Sequence, residues 1–155
     1  MNILENKSLF IEQASSLIEG EKNLVTNLSN LSALYKEYLP NTNWVGFYIV
    51  DNNNNNLVLG PFQGKVACTR IPFDKGVCGH CYSTAQTIYV EDVHKFPGHI
   101  ACDSATNSEL VIPIIQNDKV VALLDIDSIE FDRFSKDEVT AFSEVTKIIF
   151  NNLKF

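Results

Sequence analysis

Trp44-Val45-Gly46-Phe47-Tyr48-Ile49-Val50 decides the fold class. Aromatic and β-branched residues suit a pleated, half-buried surface, so this stretch reads as a strand. What precedes it has a different period. Leu9, Phe10, Ala14, Leu17 and Ile18 mark one apolar stripe, and Leu24, Leu28, Leu31, Tyr35 and Tyr38 a second. Their steps of three and four predict two amphipathic helices within the first 39 residues. Gly20 separates them. Leu39-Pro40 ends the second, because the residue before a proline is pushed out of the helical region.

Downstream the pattern is mostly strands. Asp51 and the five asparagines after it suit a hairpin connection, since Asn tolerates the left-handed backbone. Residues 57–59 form a strand running into Gly60-Pro61, and residues 65–71 form a third. Residues 76–84 begin a helix after a turn, and 87–93 make another strand. Residues 110–115 and 120–127 form a hairpin around Asn117-Asp118. Ser135-Lys136-Asp137-Glu138 is a capping box, in which the Ser and Glu side chains each satisfy the other's backbone amide. Behind it, Val139, Phe142, Val145, Ile149 and Leu153 line a last amphipathic helix. The order predicts one α+β domain over residues 1–155: a central antiparallel sheet of five or six strands with N- and C-terminal helices packed on it.

The chain has 155 residues, 45% hydrophobic and 20% charged, an ordinary globular composition that excludes disorder and collagen-like structure. Twelve Lys and Arg against 19 Asp and Glu give a net charge of −7, which argues against nucleic acid or an anionic membrane as partner. No apolar run approaches the ~18 residues of a membrane span. The N-terminus, MNILENKSLFIEQ, carries charges inside its apolar stretch, unlike a signal peptide. These features predict a cytoplasmic protein.

In that compartment cysteines are free thiols, metal ligands or redox centres rather than structural disulfides. Cys68, Cys78, Cys81 and Cys102 cluster in the middle of the chain, whereas cysteines used only as small core hydrophobes would scatter. Cys78-Gly79-His80-Cys81 resembles half a zinc site. Cys68 and Cys102 are single, however, and even with His94 and His99 nearby no second short-spaced pair completes a tetrahedron, so no metal is expected. A thioredoxin-like Cys-x-x-Cys would need a strand–helix context that Gly76-Val77 supports only weakly. The remaining option is redox chemistry between separated thiols. Cys102 lies in residues 96–108, a long polar segment of the kind that is usually functional.

The acids point to a pocket. In VVALLDIDS, residues 120–128, alternation puts Val121, Leu123, Asp125 and Asp127 on one face and Val120, Ala122, Leu124 and Ile126 on the other. Asp125 and Asp127 then stand roughly 7 Å apart along the strand. They could floor a polar pocket. Alternatively, Asp125 could pair with an Arg or a backbone amide while Asp127 and Ser128 open the loop. Glu109 faces Ile126 if the hairpin loop is strictly Asn117-Asp118; a three-residue loop or a bulge near Pro113 would set it opposite Asp127. Acidic neighbours disfavour a thiolate, so such a site suits a substrate that is positively charged or becomes protonated.

Several segments together resemble the free methionine-(R)-sulfoxide reductases, a branch of the GAF-domain superfamily. They are Gly60-Pro61-Phe62-Gln63-Gly64-Lys65-Val66-Ala67-Cys68, Gly76-Val77-Cys78-Gly79, His99-Ile100-Ala101-Cys102-Asp103-Ser104, Ser108-Glu109-Leu110-Val111-Ile112-Pro113 and Leu124-Asp125-Ile126-Asp127-Ser128. The resemblance spans essentially the whole chain. It implies a GAF-like six-stranded antiparallel sheet, no cofactor, and reduction of free rather than protein-bound methionine-(R)-sulfoxide. It also implies a homodimer and thioredoxin as reductant. By position, Cys102 is similar to the nucleophile that becomes a sulfenic acid, and Cys68 to the resolving cysteine that closes a disulfide with it. Cys78 matches an auxiliary relay. Glu109, Asp125 and Asp127 match the substrate-site acids, with Trp44 and Tyr48 as the wall around the methyl end. Cys81 has no counterpart in that pattern, and with His80 it is expected to fill a helix surface. The rival reading is a GAF sensory module that binds a small ligand without catalysis; such a module has no need of Cys68, Cys102 and the acids.

Overall fold

The structure is a computed structural model that describes residues 1–100 and 102–155. Two helices come first, α1 (Ile3–Ile18) and α2 (Leu24–Glu37), followed by strands β1 (Trp44–Asp51), β2 (Asn56–Gln63) and β3 (Arg70–Pro72). A short helix, α3 (Gly76–Thr84), leads to β4 (Ile88–Val90) and a 3₁₀ turn (Val93–Lys95). The hairpin β5 (Ser108–Gln116) and β6 (Lys119–Ser128) precedes the last helix, α4 (Lys136–Phe150). Side chains cap these helices where free amides need acceptors: Asn2 accepts from the Leu4 amide and Asn23 from the Thr26 amide. Both halves of the Ser135–Glu138 capping box form.

The strands make one antiparallel sheet in the order β3-β2-β1-β6-β5-β4, the expected α+β architecture. Its two faces do different work. On one, Val45, Phe47, Leu110, Ile112, Leu124 and Ile126 pack against Phe10 of α1, Leu31 and Tyr35 of α2, and Phe142 and Ile149 of α4. The Tyr35 hydroxyl is satisfied there by Thr146 at 2.7 Å. On the other, Trp44, Tyr48, Val111 and Leu123 meet α3 through Val77, Cys78 and Cys81. No described helix is long and apolar enough to cross a membrane.

Element ends differ from the sequence reading in places. The strand expected over 65–71 shrinks to Arg70–Pro72, and the one expected over 87–93 to Ile88–Val90, after which Asp92 caps the 3₁₀ turn by accepting from the His94 amide. The strand β2 runs on through Gly60-Pro61, its register shifting between Gly46 and Tyr48. Leu9 and Leu17 of the first predicted stripe stay exposed, while Phe10 and Ala14 carry the packing. The hairpin register matters most. Asn117 and Asp118 both have positive φ, forming the two-residue turn, and Gln116 faces Lys119. The register then slips, with Ile115 opposite Val120 but Ile114 opposite Ala122, so Val121 is an extra, bulged residue. Beyond the bulge Glu109 faces Asp127. The bulge also corrects the strict alternation: Val121 packs with the helix-side core and Val120 with the opposite cluster.

Candidate active site

The face away from α1, α2 and α4 carries a cavity whose floor is strand side chains. Trp44 pairs with Asp127 and Gly46 with Asp125, so the central strands bring aromatics and acids side by side. Glu109, opposite Asp127 on β5, completes an acidic trio. Helix α3 covers one side with Cys78, and residues 91–100 and 102–107 arch over the other with His99, Cys102 and Asp103. Cys68 and Cys102 form a disulfide with 5.6 Å between Cα atoms, tying that arch to the loop after β2. Of the predicted site residues, Trp44, Tyr48, Cys78, Cys102, Glu109, Asp125 and Asp127 line this cavity, and Cys68 joins it through its bond to Cys102. Ala101, within one of the quoted segments, lies outside the described residues.

The aromatic side does more than wall the cavity. The Tyr48 hydroxyl donates to the Cys68 carbonyl at 2.9 Å, and the Trp44 Nε1–H donates to the Lys65 carbonyl at 3.1 Å, so both hold the cysteine-bearing loop. Phe62 stacks on Trp44 at 5.1 Å between ring centroids. Gly46 makes room for this arrangement, since a Cβ there would come within 2.7 Å of the Trp44 ring.

The acids are buried, with Glu109 7% and Asp125 6% exposed. Burial pushes the Glu109 carboxyl up to about 8, helped by the Asp127 charge. Burial also raises Asp125 well above the carboxylate range, with Glu109 next to it adding to the rise, and raises Asp127 with help from Asp125 and Asp103. Asp125 lies close to both Glu109 and the Cys78 thiol. The Oδ1 atoms of Asp125 and Asp127 are buried without any partner. Burial, then the neighbouring acids, push the Cys78 thiol up, and burial pushes the Tyr48 phenol up. At neutral pH the trio therefore holds protons and has oxygens free to accept a cationic group. The Cys78 sulfur and one oxygen each of Glu109 and Asp125 lie within 4.8 Å of one another, the arrangement among the described residues suited to hold a cation.

Three features lay outside the predicted site. His99 Nε2 stands 3.5 Å from Glu109 Oε2, and burial lowers the imidazole's affinity for a proton. Its place three residues before Cys102 was the available signal. Asp103 accepts from the Asn43 amide at 2.9 Å, anchoring the arch to the sheet. Phe62, inside a quoted segment, stacks on the aromatic wall. Cys81 departs from its expected surface position: it is fully buried, its thiol donating to the Val111 carbonyl at 3.8 Å, while His80 is exposed as expected.

The GAF domain family matches residues 31–151. Free methionine-R-sulfoxide reductase of Escherichia coli is 48% identical over 124 residues, covering 80% of this chain and 74% of that protein. The Saccharomyces cerevisiae protein of the same name is 46% identical over 154 residues, covering 93% and 86%. The free methionine-R-sulfoxide reductase of Neisseria meningitidis, solved in complex with its substrate, superposes with a TM-score of 0.86 at 39% identity, covering 93% of this chain and 87% of that one. The chain belongs to the GAF-domain family and, within it, to the free methionine-R-sulfoxide reductases.

Proposed function

We propose that this protein is an oxidoreductase that reduces free L-methionine-(R)-sulfoxide to methionine by thiol chemistry at Cys102. The observation that carries the reading is the Cys68–Cys102 bond at the edge of a cavity floored by Glu109, Asp125 and Asp127, the last two each with a buried, unpartnered oxygen. In the reduced enzyme the Cys102 thiolate attacks the sulfoxide sulfur. The oxygen gains a proton and passes to Cys102, leaving methionine and a sulfenic acid. The Cys68 thiol then attacks the sulfenic sulfur, the disulfide forms and the oxygen leaves as water. The sulfoxide sulfur gains two electrons and two thiols lose them, so the reaction needs no cofactor.

The acids have two uses in this scheme. Glu109, held protonated up to about pH 8, keeps a proton available for the sulfoxide oxygen at neutral pH. Asp125 and Asp127 offer unpartnered oxygens to the substrate's ammonium group, which an internal residue of a peptide lacks. Trp44 and Tyr48 wall the methyl end, and Cys78, against Asp125, is an auxiliary relay thiol. Cys68 and Cys102 are half-buried, which leaves the bond within reach of the dithiol of thioredoxin. The same reading places the protein in the reducing cytoplasm as a homodimer.

The test is NADPH consumption in a thioredoxin and thioredoxin-reductase coupled assay with the free R sulfoxide, its S epimer and a sulfoxide-containing peptide. Turnover with the free R form alone is expected. Binding without turnover, in protein with reduced thiols, would replace the enzyme by a ligand-binding module.

A further inference from the structure

We propose that Cys78, Glu109 and Asp125 form a binding site for a thiophilic divalent cation of the zinc class, and that filling it closes the substrate pocket. Their donor atoms lie within 4.8 Å of one another, and the residues are 3%, 7% and 6% exposed. Zinc bonds of about 2.3 Å to sulfur and 2.0–2.2 Å to oxygen set tetrahedral donors roughly 3.3–3.7 Å apart, so side-chain rotation of about 1 Å closes the set. A second observation points to a ligand: Asp125 Oδ1 is buried with no partner, at a position where an unmet acceptor is costly. Buried carboxyls must take up a proton or a cation, and a divalent ion is an alternative to the substrate's ammonium.

The donor chemistry selects the ion. A thiolate with two carboxylates suits zinc, cobalt or cadmium, whereas calcium takes six or more oxygens and magnesium a rigid octahedron. Three protein donors leave one coordination position open. His99, 3.5 Å from Glu109 Oε2, serves as an outer partner that orients the carboxylate. The site differs from the half-knuckle seen in the sequence. Cys81 is turned toward the Val111 carbonyl, and Cys68 and Cys102 are bonded to each other. Competition between cation and sulfoxide rests on the reductase reading; binding itself does not.

The test uses the full chain with Cys68–Cys102 oxidised, which removes those thiols as ligands. Calorimetry with Zn²⁺ should give one ion per chain with release of protons, and Co²⁺ should give a thiolate-to-cobalt charge-transfer band. Mg²⁺ and Ca²⁺ should give no heat. Cys78→Ser should abolish the band. Asp125→Asn should weaken Zn²⁺ binding by more than the roughly 10–100-fold that loss of an outer partner causes, the range expected for His99→Gln. Cys81→Ala should retain binding. Absence of binding, a band that survives in Cys78→Ser, loss of binding in Cys81→Ala, or a site appearing only after Cys68–Cys102 is reduced would each overturn the donor set. Thermal unfolding is recorded for each variant, and if Cys78→Ser does not fold, Asp125→Asn carries the test. With binding in hand, Zn²⁺ should inhibit turnover competitively with the free sulfoxide. Unchanged turnover at saturating Zn²⁺ would overturn closure of the pocket, while absence of any turnover without metal would count against the reductase reading alone.

Discussion

Cys102 and Cys68 share one bond, yet their removal has different consequences. Cys102→Ser removes the proposed nucleophile, and turnover should vanish; retained activity would sink that assignment. In the proposed scheme Cys68→Ser leaves the attack intact and removes the thiol that would expel water from the sulfenic acid. One equivalent of methionine per chain should form, followed by a stall, as read by quenched-flow product analysis. Continued thioredoxin-supported cycling would transfer the resolving role to Cys78, the free thiol beside the acids. Asp127 makes a different kind of claim. Its Oδ1 is buried and unpartnered, so the fold gains nothing from that oxygen. Asp127→Asn should leave the unfolding temperature unchanged or higher, while kcat/KM falls about ten- to a hundredfold, the scale of one charge-assisted hydrogen bond. Lost stability with unchanged kinetics would make the residue structural.

The central hairpins show how elements place these residues. At Gly46 a Cβ would stand 2.3 Å from Phe62 Cβ and 2.9 Å from Phe62 Cα, so β2 itself would have to move. Gly46→Ala should therefore cost about 1–3 kcal/mol, lowering the melting temperature by several degrees. It should also raise KM, because Trp44 is displaced with Phe62; calorimetric melting and steady-state kinetics check both. The same strands mark what the sequence could and could not tell. The β1 stretch, the helix stripes and the capping box were legible because each depends on local spacing. The cysteines and acids were legible as a set through family resemblance, since no local period predicts that Cys68 meets Cys102 across 34 residues. The pairing of Glu109 with Asp127 was not settled, because one bulged residue, Val121, moves every side chain beyond it to the other face. The burial of Cys81 and the approach of His99 to Glu109 were missed for a related reason. Both depend on how α3 and residues 91–100 lie over the sheet, which is decided by tertiary packing.

Taken as a whole, the molecule packs α1, α2 and α4 on one face of its sheet and leaves an acidic cluster on the other, so on the proposed mechanism stability and catalysis would share a proton. In an unfolded chain Glu109 titrates near 4.5, while in the fold it holds its proton to about 8. Between those values folding takes up a proton, so this contribution to stability is complete below about pH 4.5 and is lost as pH rises through 8. Asp125 and Asp127, also raised, add to the same trend. His99, whose folded proton affinity is lowered, acts oppositely, losing stability as pH falls through the ordinary imidazole range. Substitution isolates one group from the others. Glu109→Gln keeps the side chain's shape and cannot ionise, so its melting temperature should gain on the wild type from pH 5 to about pH 8 and level off above it, by an amount corresponding to about a few kcal/mol. Wild-type kcat/KM should fall across the upper part of that range as the donor is lost. A melting difference that stays constant with pH would mean that Glu109 does not hold the proton, and the proton-donor role would fall with it.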